Sequence, residues 1–175
     1  MVEANPSESV IRMSGNRFCG RVSPSAPSVS GHLETHMPDP AWSLHPRLKE
    51  DTIDVGDLPL SKVLVMKDAN YPWLVLVPRR PGAVEIIDLD EVERAQLMTE
   101  IARASHALKK ITKCDKLNVA ALGNQVPQLH VHIIARRTSD AAWPGPVWGV
   151  APPLQYDAEE MQNFTDALWR QIGLG

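Results

Sequence analysis

Two cysteines in 175 residues, Cys19 and Cys114, are too few and too far apart for a disulfide framework or a CxxC pair, so nothing calls for an oxidising compartment. No apolar run approaches the roughly 18 residues that a membrane span needs. Lys and Arg number 18 against 21 Asp and Glu, a formal charge of −3. There is thus no basic field to capture a polyanionic backbone, which argues against a nucleic-acid polymer as partner and leaves a small nucleotide open. The N-terminal stretch lacks the apolar core of a secretory signal. Internal repeats are missing, and Gly145 and Gly149 stand alone rather than in a phosphate-binding loop. The expectation is a cytoplasmic protein that needs no membrane and no cofactor.

What is present suits one domain: 43% of the residues are hydrophobic, enough for a single real core in a chain of this length. Residues 1–38, rich in Ser, Gly and Pro and without apolar periodicity, read as a disordered extension. Their composition gives way near Met37, and residues 39–175 read as the folded domain. His32 and His36 fall in the extension and are discounted as ligands.

Within the domain, Trp42, Leu44 and Leu48 suggest a short helical turn, with His45 before Pro46 as a turn residue. Residues 51–60 form a connection with at most a brief strand. Lys62–Lys67 and Trp73–Val77 are strands by composition, and Asp68-Ala69-Asn70-Tyr71-Pro72 between them has turn chemistry, so the two pair as a hairpin. Asp68 stands at the strand end, either as a turn cap or as an acceptor for sugar hydroxyls. Arg79 and Arg80 read as solvated charges. Asp88 followed by Glu91 is a capping-box pattern, opening a helix of about 24 residues with Leu89, Val92, Leu97, Ile101, Leu108 and Ile111 on one face at helical spacing. His106, beside that face, is structural. Leu117–Leu122 is a further strand, and Asp157 caps a last helix with Met161, Phe164, Leu168 and Ile172 as its stripe. The Trp143-Pro144-Gly145-Pro146-Val147-Trp148 segment packs as an ordered loop, because two indoles are costly to leave in water.

The most informative stretch is Pro127-Gln128-Leu129-His130-Val131-His132-Ile133-Ile134. Its alternation has the period of a strand, so Gln128, His130, His132 and Ile134 share one face and Leu129, Val131 and Ile133 the other. Same-face neighbours lie about 6.6 Å apart along a strand, so two imidazoles can flank one small anion. The preceding strand and the Gly123-Asn124-Gln125 loop lead directly into it, which makes antiparallel pairing natural and brings Asn118, Asn124 and Gln125 toward the histidine edge. Three chemistries fit such a pair: a zinc site, which lacks a convincing third ligand in the sequence; phosphate binding with one imidazole as nucleophile; or an electrostatic clamp in a binding protein without turnover.

Over roughly residues 42–150 the chain resembles the histidine triad family of nucleotide-binding hydrolases and transferases. That family's His-φ-His-φ-His-φ-φ signature stands here as Gln128-Leu129-His130-Val131-His132-Ile133-Ile134, with Gln128 in the first His position. The hairpin around Asp68, the long helix before the signature, and the Arg and Trp-Pro-Gly elements after it agree. The resemblance implies an α+β fold in which an antiparallel sheet of about five strands carries a long packed helix, usually as a homodimer. It further implies His130 as the nucleophile, His132 on the α-phosphate and Asp68 on the ribose. The function implied is hydrolysis or transfer at the α-phosphate of a nucleoside phosphoramidate, dinucleoside polyphosphate or adenylated compound through a nucleotidyl-histidine, without a metal. A His132 protonated near the ordinary value of about 6.5 would supply positive charge to that step, whereas Gln128 can donate a hydrogen bond but no proton. The alternatives are a nucleotide-binding module without turnover and a metal-binding protein using the His-x-His pair.

Overall fold

The computed structural model describes residues 41–174, so the extension expected over residues 1–38 lies outside the described residues. Five strands, β1 (Thr52–Asp57), β2 (Ser61–Met66), β3 (Trp73–Pro78), β4 (Lys116–Ala120) and β5 (Val131–Arg136), form one sheet in the order β1-β2-β3-β5-β4. Every neighbouring pair is antiparallel. The α+β architecture and the strand number are those the sequence implies.

β2 and β3 are runs of branched and large apolar residues, and β3 is buried along its whole length. β1 is a full six-residue strand rather than a brief one. Its own propensity is weak, but Ile53 and Val55 pack against the main core and the ladder to β2 does the rest. The register shifts between Asp54 and Gly56, and Gly56 has φ +147, a backbone that other residues rarely adopt.

Two helices cover one face. α2 spans Glu91–Thr112 and begins at Asp90, not at Asp88: Asp90 and Glu93 close the capping box. The Asp88 carboxylate instead accepts from the Val84 and Glu85 amides and closes the short 3₁₀ turn Ile86–Asp88. Leu97, Ile101, Ala104 and Leu108 face the core, while Val92 is 77% exposed. Val92 stands five positions before Leu97, which at about 100° per residue turns it well away from the buried stripe. α3 (Ala158–Ile172) is capped by Asp157 as expected, and Met161, Leu168 and Ile172 are buried. With Leu74, Leu76, Leu129, Val131 and Ile133 these residues make the main core. Each large aliphatic in it contributes roughly 1.5–3 kcal/mol. The α2 face also carries Glu100, 1% exposed, whose carboxylate accepts the Leu60 and Ser61 amides and pins the β1–β2 turn.

The opposite face of the sheet carries a second apolar layer of Leu64, Tyr71, Trp73, Val75, Val77 and Ile134, closed by Leu48, Val126 and Val147. Leu48 comes from the short helix α1 (Pro46–Asp51) and Val147 from the Trp-Pro-Gly segment, which packs as an ordered loop. Arg79 departs from its expected place in solvent. It is 8% exposed, pairs with Asp57 and donates to the carbonyls of Leu58, Pro59 and Leu60. No helix among the described residues is long and apolar enough to cross a membrane.

Candidate functional site

The ladder of β5 starts at Val131, so Gln128, at a bend, and His130 lie just ahead of the strand rather than within it. The face assignment still holds: Leu129, Val131 and Ile133 join the main core, and Ile134 joins the opposite layer. His132 lies in register between Val75 of β3 and Ala120 of β4, which fixes its depth in the sheet. His130 and His132 are each 7% exposed, and their rings meet edge to face with centroids 4.9 Å apart.

Hydrogen bonds decide where the protons sit. His130 Nδ1 is 2.6 Å from the Gln128 carbonyl oxygen. A carbonyl only accepts, so Nδ1 carries the proton and Nε2 keeps a free lone pair. The Trp73 indole Nε1–H donates to His132 Nδ1 at 3.0 Å. An indole N–H only donates, so His132 Nδ1 is bare and its proton is on Nε2. Burial, and secondarily the neighbouring His130, push the His132 pKa down to about 4. His132 is therefore neutral near pH 7, which corrects the expectation of a protonated imidazole. It offers an N–H donor instead of a charge. Trp148 completes the enclosure, with its ring 5.5 Å from both His132 and Trp73.

A cavity of about 320 Å³ opens onto the two histidines. Asn124 and Gln125 line it, as the sequence suggested, together with Trp73 and Trp148. Arg47, Leu48 and Asp51 line it from α1, and Met66 of β2 lines it as well. The other expected residues lie outside this lining. Asp68 Oδ1 accepts from the Asn70 amide and side chain and from the Leu154 amide, so it caps its own turn and ties down the C-terminal segment. Asn118 Oδ1 accepts from Arg136. Arg136, 1% exposed, forks onto Asp140 at 2.8 and 2.9 Å and stands 5.9 Å from the rings of Tyr71 and Trp143.

The Gln128 amide is likewise committed. Its Oε1 accepts the His45 amide at 2.8 Å and its Nε2 donates to the Ser43 carbonyl at 2.9 Å. His45 in turn caps α1, its Nδ1 accepting the Arg47 amide. The residue in the first signature position thus latches the start of α1 onto the histidine segment. Sequence reasoning missed Trp73, Trp148, Arg47, Asp51 and Met66. Trp73 was within reach, because the strand parity that aligns Val75 with His132 places it on the same face. The α1 wall carries no comparable signal. Among the described residues no group of three or more His, Cys, Asp and Glu is placed to hold a metal ion.

Comparison with known proteins bears on the same segment. The family model described as the HIT domain matches residues 47–139. A solved histidine triad protein from Bradyrhizobium japonicum is 81% identical, covering 76% of this chain and 99% of its own at a TM-score of 0.75. Histidine triad proteins from Marinobacter aquaeolei and Sinorhizobium meliloti are 42% and 40% identical. Each covers 75% of this chain at a TM-score of 0.73, over 96% and 97% of its own length respectively. Among curated proteins none matches.

Proposed function

The chain belongs to the histidine triad family, and from that premise we propose that it is a nucleotide hydrolase or transferase working through a covalent nucleotidyl-His130. The observation that carries this reading is the 2.6 Å bond from His130 Nδ1–H to the Gln128 carbonyl, which leaves Nε2 as a bare nucleophile facing a cavity. Attack of Nε2 on an α-phosphorus and later attack of water on the phosphorus–nitrogen bond replace one difficult displacement by two easier ones. Positioning and stabilisation of oxygen charge do most of the remaining work. The Nε2–H of His132 is the donor for a phosphoryl oxygen, and the Asn124 and Gln125 amides bind the rest of the nucleotide. Replacing His130 by Asn should abolish turnover while leaving the affinity for AMP within about tenfold, because the lost interaction belongs to the transition state. Equal turnover of the variant and the parent would remove His130 from the reaction.

A second reading, a nucleotide-binding module without turnover, is favoured by one observation: Gln128 has no titratable proton and its amide is already engaged at both ends. It predicts AMP binding with no covalent adduct. For assembly we propose a homodimer. Ile87, Val92 and Met98 are 81%, 77% and 65% exposed, and β4, with Val119 49% exposed, is an edge strand open on one side. Light scattering at tens of micromolar should give twice the monomer mass, and a monomer would refute it. We place the protein in the cytoplasm, where a free buried thiol such as Cys114 persists; recovery in another cell fraction would contradict that.

A further inference from the structure

We propose that a second cavity, across α1 from the histidines, binds a small organic monocarboxylate, and that its occupancy tightens nucleotide binding through Gln128. This rests on the nucleotide reading of the first cavity and not on covalent chemistry at His130.

α1 divides the two cavities. Its Arg47, Leu48 and Asp51 line the first, whereas Lys49 lines a second one of about 390 Å³. Two positions along a helix turn a side chain by about 200°, so Lys49 and Asp51 leave on nearly opposite sides. Trp42 and Leu44 ahead of α1 and Lys62 and Leu64 of β2 wall the second cavity. Its volume suits a small metabolite.

Charge selects the sign of the ligand. Lys62 Nζ is bonded by Asp54 at 2.7 Å and by Asp57 at 3.0 Å, and Asp57 is shared with Arg79. Those four charges cancel. Lys49 is exposed and stands in no ion pair among the described residues, which leaves one positive charge over at the cavity wall. A single negative charge balances it.

An orphaned donor selects the group. The Trp42 indole Nε1–H is buried and meets no acceptor, a costly and uncommon state for an enclosed N–H. The same ring borders the cavity, and a modest turn of it brings the N–H to an oxygen seated there. Indole and ammonium only donate, so what satisfies both is a carboxylate. Leu44, Leu64 and the face of Trp42 take its apolar body.

The coupling runs through bonds already described. Ser43 also lines the second cavity, and its carbonyl accepts from Gln128 Nε2 at 2.9 Å, while Gln128 Oε1 accepts the His45 amide at 2.8 Å. The Gln128 carbonyl accepts from His130 Nδ1. A carboxylate held between Trp42 and Lys49 therefore fixes both ends of the segment that carries Arg47 and Leu48 into the first cavity. AMP then meets lining residues that are already ordered, and by linkage AMP tightens the carboxylate by the same factor.

The probe is benzoate, titrated into the nitrogen-15-labelled full chain with AMP saturating the first cavity so that competition there is removed. Of the five indole resonances, that of Trp42 is identified by its loss in Trp42→Phe. It should shift saturably with benzoate, and Lys49→Gln should weaken the affinity about fivefold, the scale of one exposed charged contact. Saturating benzoate should raise the affinity for AMP about fivefold, the lower end of ordinary coupling. Gln128→Ala should keep benzoate binding and lose that response. Inorganic phosphate, charged but without an apolar body, should bind about tenfold more weakly than benzoate. An unresponsive Trp42 resonance, equal benzoate affinity in the parent and Lys49→Gln, an AMP affinity indifferent to benzoate, or phosphate binding as tight as benzoate would each overturn the proposal. Failure of the nucleotide reading shows separately, as no AMP binding in the absence of benzoate.

Discussion

The Trp73 indole nitrogen lies 3.0 Å from His132 Nδ1, and this contact sets the tautomer of the buried imidazole. It occupies the nitrogen that a second proton would need, while burial, and secondarily the neighbouring His130, hold the His132 pKa near 4. Replacing Trp73 by Phe keeps most of the apolar wall and removes the donor. The His132 pKa should then move up toward its ordinary value, and turnover should fall by ~10² or less, below the usual scale for losing a direct transition-state donor. Nitrogen NMR of the imidazoles reads both tautomer and pKa; an unchanged His132 spectrum in the variant would remove Trp73 from this role.

The same depressed pKa has a consequence for stability. Unfolded His132 takes up a proton below its ordinary value of 6.5, whereas folded His132 resists until about pH 4. Its contribution is therefore complete above 6.5 and is lost as pH falls through the window from 6.5 to about 4, by roughly 3 kcal/mol in total. Denaturation of the parent and of His132→Gln at several pH values isolates it, because the carboxylates are common to both. The stability difference between the two proteins should shift against the parent across that window and stay flat above pH 7. A difference independent of pH would contradict the burial of a neutral imidazole.

Gln128 acts through what it holds. Gln128→Ala removes the two bonds to Ser43 and His45, worth about 1 kcal/mol each at most for partly exposed groups. The expected drop in Tm is a few degrees, about 2–4 °C per kcal/mol in a chain of this size. KM should rise as the α1 wall loosens, with the pH profile of kcat unmoved. Full activity and an unchanged Tm would show that the latch is idle.

Arg136 and Asp140 lie outside the cavity but support it, since the segment from Asp140 leads to Trp148. Asp140→Ala leaves a guanidinium that is 1% exposed without its carboxylate. The cost should be about 3–5 kcal/mol, the scale for breaking a buried pair. A loss below 1 kcal/mol by chemical denaturation would mean that Arg136 finds another partner.

The strands, the hairpin and the face parity of the histidine segment were legible because they rest on a period of two and on local turn chemistry. Leu129, Val131 and Ile133 could only bury together, and that leaves His130 and His132 on the other side. Two acidic pairs, Asp88 with Glu91 and Asp90 with Glu93, have the spacing of a capping box, and only the 3₁₀ turn decides that α2 takes the second. The short helical turn was legible, but its place as a wall of the cavity was not, since the contact that seats it joins residues 83 apart in the chain. The second partner of Asp68 and the burial of Arg79 were not legible for a related reason. The groups involved, the Leu154 amide and the carbonyls of residues 58–60, are supplied by segments distant in sequence.

The central claim is that His130 Nε2 becomes bonded to phosphorus, and intact-mass and peptide mass spectrometry test it directly. Protein mixed with diadenosine triphosphate or adenosine phosphoramidate and quenched within the first turnover should carry one adenylate, mapped to His130 and absent from His130→Asn. A parent protein that binds AMP yet never shows the adduct, with His130→Asn indistinguishable from it, would contradict the account.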